Sequence, residues 1–230
     1  MNIYMLMEGE TEPLLYPVWL KFIAPNMQQV FFVEQVKENN FYVITGKGYP
    51  RLLTDKLEDT IKDITDYPIF DQLWIILDAD DRSVEEREQE AHDKVTSILL
   101  ENPILSLGEC QVHVIAQKVC IETWGLANTR VFPHHKMTGE LRNFYDHYDI
   151  SSEDPEDMDK PISFEFSVGA YHHKYLKTML RTRNEKIIYS KKSPSPLNMK
   201  SYFDEIVLRV VTDGQVNSFK KFYNLAVNLN

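Results

Sequence analysis

Five acids in this chain have the types and spacing to hold a hard metal ion: Glu8, Glu12, Asp78, Asp80 and Glu122. Glu8 closes the apolar run Ile3-Tyr4-Met5-Leu6-Met7 and is followed by Gly9, the pattern of a buried strand entering a tight turn. Asp78 and Asp80 close a second apolar run, Leu73-Trp74-Ile75-Ile76-Leu77, and Glu122 sits between apolar neighbours in Cys120-Ile121-Glu122-Thr123-Trp124. Acids at the mouths of buried strands are costly unless a positive charge is held among them. Mg²⁺ suits such a place, because it takes one or two carboxylates and completes its shell with waters and substrate phosphates. Two such ions about 3.5–4 Å apart activate a water and stabilise a leaving oxygen. Asp-x-Asp on extended chain puts both side chains on one face. Glu8 and Glu12 meet one turn apart if a helix begins between them. Any one of these acids, taken alone, is better explained by attraction to a helix N-terminus. Two clusters that each end an apolar strand, with a third acid in an apolar helix, favour a shared site. Glu10 is read as facing solvent or capping the helix.

The elements that must position these acids follow from periodicity. Ile3–Met7 is strand one. Pro13 suits a first helical turn, and Leu14, Leu15, Val18, Trp19, Phe22 and Ile23 recur at helical spacing up to Pro25. Val30-Phe31-Phe32-Val33 and Phe41-Tyr42-Val43-Ile44 are β-branched and aromatic and read as strands, with Lys37 to Asn40 as the turn between them. Gly46-Lys47-Gly48 then lies between a strand and a helix over residues 51–67. Its backbone N–H groups could approach a phosphate, although a plain strand-to-helix turn accounts for it as well. The continuous apolar run at 73–77 implies a central parallel strand covered on both faces, and in such sheets ligands bind beyond the carboxyl ends of the strands. A charged helix over 84–100, a strand over 112–116 and a short helix over 120–127 follow. The expected fold is therefore α/β: a mainly parallel central sheet of four or five strands with helices on both faces, and a helical C-terminal part.

Three regions are expected: a core over 1–127, an acidic loop or insertion over 128–163, and a basic helical extension over 164–230 packed on the core. The insertion carries Ser151-Ser152-Glu153-Asp154-Pro155-Glu156-Asp157 and reads as a surface loop or mobile segment. The extension gathers Lys174, Lys177, Arg181, Arg183, Lys186, Lys191 and Lys192, then helices over 199–211 and 216–227. Adjacent histidines, as in His134-His135 and His172-His173, point different ways on most backbones, so neither pair is read as a shared metal ligand set. Cys110 and Cys120 have no zinc-site spacing and read as small core residues.

Composition narrows the function classes. The 230 residues are 43% hydrophobic and 12% aromatic, enough for a sizeable core. No apolar run is long enough to span a membrane, and the N-terminus lacks the basic start of a signal peptide, so a cytoplasmic protein is expected. A net charge of −10 argues against a general nucleic-acid coat protein, whose affinity comes from neutralising phosphates. It leaves room for an enzyme that meets nucleic acid through metals and a local basic patch, and for docking on a basic partner.

Met7-Glu8-Gly9-Glu10-Thr11-Glu12 after a strand, then Gly46-Lys47-Gly48, then Leu77-Asp78-Ala79-Asp80 together resemble the TOPRIM domain. The Glu-Gly-x-Thr-Glu form is closer to the OLD-type nucleases and their small bacterial relatives than to topoisomerases or primases. The stretch Cys120 to Trp124 is similar to a Glu-x-Trp helix of those small relatives. The likeness covers residues 3–124 in good order, is weaker over 171–202 and is absent over 128–163. The Gly-rich turn is shorter than the family pattern, and no topoisomerase-type tyrosine can be assigned.

The resemblance implies a Mg²⁺- or Mn²⁺-dependent nuclease acting on DNA or RNA, associated with phage defence and often found beside an ABC-type ATPase. By this likeness Glu8 would hold metal or act near the scissile phosphate, Asp78 and Asp80 would hold metal, and Glu12 and Glu122 would complete a second site. Lys174 would stabilise charge developing on the phosphate. Gly46, Lys47 and Gly48 would meet phosphate, and Lys177, Arg181 and Arg183 would line the nucleic-acid path, where a solvated basic face is the competing reading. Two other functions stay open: a TOPRIM-like binding subunit, inactive alone, that docks on such an ATPase, and a metal-dependent phosphotransfer enzyme on nucleotides. Homo-oligomerisation is also left open.

Overall fold

The computed structural model describes residues 1–137 and 139–229. Thr138, inside the expected insertion, and Asn230, at the end of the expected extension, lie outside the described residues. Five strands form one sheet: β1 (Ile3–Met7), β2 (Gln28–Val30), β3 (Asn40–Thr45), β4 (Gln72–Asp78) and β5 (Gln111–Gln117). Their order is β2-β3-β1-β4-β5, and every neighbouring pair is parallel. The expected α/β architecture is present, with no antiparallel member in this sheet.

Helices α1 (Glu12–Ile23), α2 (Leu57–Asp66) and α3 (Val84–Glu101) cross between strands. They are followed by α4 (Ile121–Gly125), α5 (Glu140–His147), α6 (Val168–Arg183), α7 (Lys200–Thr212) and α8 (Asn217–Val227). Strand alternation splits the core into two layers. Ile3, Met5 and Met7 of β1, with Trp74 and Ile76 of β4, face Leu15, Trp19, Trp124, Leu176, Phe203 and Phe222. Tyr4 and Leu6, with Leu73, Ile75 and Leu77, face Leu57, Ile61, Ala91 and Val95. One face of the sheet is thus covered by α2 and α3. The other is covered by α1 together with the C-terminal helices, so residues beyond 164 supply a core layer of the sheet itself.

This layering places the functional end. From β1 the chain leaves through α1 on one face, toward β2 and β3. From β4 it leaves through α3 on the opposite face, toward β5. Such divergence opens a crevice beyond the carboxyl ends of the two strands, and Glu8 and Asp78 stand at those ends.

Two local expectations are corrected. The turn expected at 37–40 would make β2 and β3 an antiparallel hairpin, but they are parallel. β2 stops at Val30, and a connection with a 3-10 turn at Val33–Gln35 carries the chain back, because parallel neighbours need a crossover and not a tight turn. Phe31 and Phe32, expected in the strand, are 71% and 64% exposed. The stretch 128–163 is also not a bare loop. It holds α5 and buries Leu141, Phe144, Ile150 and Met158. Its acids act as internal acceptors: Asp149 for Ser151 and Ser152, Asp154 for the Val216 N–H, and Glu156 for Ser218. Among the described residues, no helix is long and apolar enough to cross a membrane.

Candidate functional site

Glu8 is anchored by backbone. Its Oε2 accepts from the Asp78 N–H at 3.1 Å and its Oε1 from the Tyr49 N–H at 3.2 Å, while its own N–H donates to the Ile76 carbonyl. It therefore ties the ends of β1 and β4 to the turn after β3. Burial pushes its pKa up, and the Asp78 amide, as donor, pulls it back.

Glu12 opens α1 and is 4% exposed. Its carboxylate folds back beneath Gly9, where a Cβ would lie 2.6 Å from Oε2. Gly9 is therefore required by the approach of this side chain, not by its own φ. Burial, with the fields of Glu122 and Glu8 behind it, raises Glu12 to about 7. Asp78 is also raised, first by burial and then by Glu12, Glu8, Glu122 and Asp80.

Glu122 on α4 is fully buried. Its Oε1 accepts from His173 Nδ1 at 2.9 Å, which requires the proton on that nitrogen, and from the Tyr189 hydroxyl at 3.1 Å. Burial would raise its pKa, but the His173 hydrogen bond and the Lys191 and His173 charges outweigh it, so the pKa is lowered. Lys191 is drawn by the same acids. Desolvation lowers its ammonium, and Glu122, Cys120, Asp78 and Glu12 together leave it raised. The segment carrying it is fastened to the start of α1, because Thr11 Oγ1 donates to the Lys191 carbonyl at 3.1 Å. Charge at this end is thus divided: Glu122 stays ionised beside His173 and Lys191, while Glu12 and Asp78 hold protons more readily than ordinary carboxyls.

Four buried acceptor atoms converge on this region without a donor: Glu12 Oε2, Asp78 Oδ1, Glu122 Oε2 and Gln117 Oε1. Gln117 stands opposite Asp78 in the β4–β5 register and donates through Nε2 to the Tyr16 hydroxyl. Water can donate to each orphan oxygen; the repulsion among the acids is relieved by a proton on Glu12 or Asp78, or by a bound cation. Among the described residues, no three histidine, cysteine, aspartate or glutamate side chains form a group that could hold a metal ion as they stand. An ion of the Mg²⁺ type needs fewer, one or two carboxylates with waters and phosphates. The donor set fits an ion of that kind and not a closed cage of protein ligands.

Other expected residues fall elsewhere. Asp80 does not share a face with Asp78. The strand ends at Asp78, Asp80 takes a left-handed φ of 52°, and the period of two no longer applies. Its exposed carboxylate meets Arg87 Nη2 at 3.5 Å at the rim, still close enough for its field to act on Glu8 and Asp78. Arg87 also lies over the Tyr49 ring, 4.1 Å from its centre. The Gly46 and Gly48 N–H groups are taken by the Met7 and Glu8 carbonyls, so the turn is not an open phosphate cradle. Lys47, exposed at its tip with φ 58°, is left.

Lys174 pairs with Glu140 at 2.6 Å on the outer side of α6. With Lys177, Arg181 and Arg183 it lines a separate cleft of about 1500 Å³. The lysine facing the carboxylates is Lys191. Sequence reasoning also passed over Gln117, His173 and Tyr189; a polar residue closing the apolar run of β5 was the one signal for Gln117. His172 is buried and neutral, lowered to about 4 chiefly by burial, and lies between Thr123 and the Met158 carbonyl. The two histidines do point apart, and only His173 reaches the site. In comparisons with protein-family models, curated proteins and solved structures, the chain matches none.

Proposed function

We propose that the chain is a metal-dependent phosphodiesterase of the TOPRIM nuclease kind, acting in the cytoplasm on DNA or RNA as a phage-defence effector. The observation that carries this reading is the set of four donorless buried acceptors at the carboxyl ends of β1, β4 and β5 and on α4, with a lysine beside them. Two of them, Glu12 and Asp78, belong to the Glu-Gly-x-Thr-Glu and Asp-x-Asp stretches of the sequence.

One or two of the carboxylates of Asp78, Glu12 and Glu122 would hold a Mg²⁺ or Mn²⁺ ion, with waters and substrate phosphate completing its shell. Such an ion supplies neutralisation of phosphate charge and a more acidic bound water. Glu8, fixed by two backbone amides, holds the two strand ends in register. Without the ion Glu12 holds its proton up to about pH 7, so binding of the ion near neutral pH would release that proton. Lys191 presents a cation where charge builds on a phosphate oxygen. His173 and Tyr189 keep Glu122 ionised and oriented. Asp80 at the rim, balanced by Arg87, is placed to receive an ion arriving with substrate.

Incubation of the protein with polynucleotide and Mn²⁺ tests this. Cleavage should require the ion and be abolished by Asp78→Asn or Glu12→Gln with the fold intact. Full activity in either variant would reject the reading. A second reading is favoured by one observation, the adjacent exposed Phe31 and Phe32 beside the free edge of β2. There the chain would be a subunit docked on a partner such as an ABC-type ATPase. Co-purification lost on Phe31→Ser with Phe32→Ser, in a protein that neither cleaves nor binds Mn²⁺, would select it.

A further inference from the structure

The cleft lined by α6, the segment that follows it and the start of α7 carries seven lysines and arginines against three glutamates, in a chain whose net charge is −10. Two of its cations are neutralised in ion pairs, Lys174 with Glu140 and Arg130 with Glu205. Lys136, Lys177, Arg181, Arg183 and Lys186 have no acidic partner among the described residues, and all five are exposed. Lysines and arginines gathered around one cleft without counter-charges repel one another, which favours a polyanion between them.

The cleft is linked to the carboxylate end by two shared elements. On α6, His173 faces Glu122 while its neighbour Lys174 faces the cleft. On the following segment, Lys186 and Ile187 line the cleft, and Tyr189 and Lys191 return to the carboxylates. Lys174, Lys177 and Arg181 are spaced three and four apart, so they form one stripe on the helix. At a rise of about 1.5 Å per residue, the axial distance from His173 to Arg183 is about 15 Å. That spans roughly four stacked nucleotides at about 3.4 Å per step. Of the two aromatic rings in the wall among the described residues, Tyr202 is buried with its hydroxyl bound to the Gly125 carbonyl and only the imidazole of His135 is exposed, so stacking on bases is at most a single contact beside the phosphate contacts.

We propose that this cleft is an anchor for the sugar-phosphate backbone of a polynucleotide. It holds a strand over about four nucleotides beyond the reacting phosphate, without regard to sequence. The proposal rests on the phosphodiesterase reading for the identity of its polyanion, and makes the substrate an extended strand in place of a mono- or dinucleotide.

The test is binding of fluorescent oligonucleotides to the full chain in EDTA, by anisotropy, with length and salt varied. Affinity should rise with length up to about four nucleotides past the first and then flatten. Lys177→Glu with Arg181→Glu, and separately Lys186→Glu on the other wall, should each weaken binding of a roughly 20-nucleotide strand at least tenfold near 0.1 M salt. The slope of log affinity against log salt should fall by about 0.7 for each contact removed on a single strand. Lys62→Glu, exposed on α2, should change nothing. Wild-type affinity in every charge-reversed variant would overturn the proposal, as would equally tight binding of a polyglutamate peptide. Cleavage by the wild type with Mn²⁺, together with unaffected binding in the variants, would reject the anchor and keep the phosphodiesterase reading. Binding lost in the variants, in a protein that never cleaves, would keep the anchor and reject that reading.

Discussion

Glu12→Gln should make the protein more stable and less able to bind a divalent ion. Glu12 is buried, and its pKa in the fold is about 7 against an ordinary 4.5, with burial as the first cause and Glu122 and Glu8 adding to it. The folded value lies above the unfolded one, so stability from this group is complete below about pH 4.5 and is lost as pH rises through about 7. At about 1.36 kcal/mol per unit, the cost of the ionised form above neutrality is about 3 kcal/mol. The amide carries no charge and can donate to a neighbouring orphan oxygen, so in EDTA at pH 8 the variant should gain up to that amount. For a chain of this size the gain corresponds to a rise in Tm of about 6–12 °C. At pH 4.5 the difference should shrink toward zero. Mn²⁺ should stabilise the wild type by about 2.7 kcal/mol at a concentration near 100 times its Kd, and the variant far less. Thermal unfolding in a two-by-two design of protein and Mn²⁺, at both pH values, measures all of this. An unchanged or lower Tm of the variant at pH 8 in EDTA, or an undiminished Mn²⁺ shift, would refute the reasoning.

Three further outcomes are expected. Gly46→Ala should cost about 1–3 kcal/mol in urea unfolding, because its Cβ would lie 2.5 Å from Leu52 Cβ and 2.8 Å from Leu52 Cα, which is backbone and cannot swing away. Glu156, raised to about 7 chiefly by burial though it accepts from Ser218, should make the wild type lose up to about 3 kcal/mol between about pH 4.5 and 7; Glu156→Gln should flatten that part of the unfolding profile. Phe222→Ala should cost about 3–5 kcal/mol by calorimetry, because this fully buried ring of α8 packs against Tyr16, Trp19, Trp74 and Trp124.

The central strands were legible because their signal is local. Ile3–Met7 and Leu73-Trp74-Ile75-Ile76-Leu77 are unbroken apolar runs, and burial on both faces demands such runs. The pairing of β2 with β3 was not legible, because strand direction depends on where the chain returns and not on the residues that pair. The acids could be singled out because Glu8 and Asp78 each end an apolar run, Glu12 opens the helix after the first, and Glu122 interrupts an apolar stretch. Lys191 could not be told from Lys174. Both lie in one basic run, and what separates them is the bond from Thr11 to the Lys191 carbonyl and the Lys174–Glu140 pair, two contacts across the fold. The acidity of 151–159 suggested solvent, whereas Asp154 and Glu156 serve backbone donors at the start of α8.

Titration of the protein with Mn²⁺, followed by the loss of the free-ion electron paramagnetic resonance signal, addresses the metal site without reference to any substrate. The site described here predicts saturable binding to the wild type and its loss in Asp78→Asn, whose fold should persist because the change removes a repelled charge. No binding by the wild type up to millimolar Mn²⁺, or equal binding by Asp78→Asn, would contradict it.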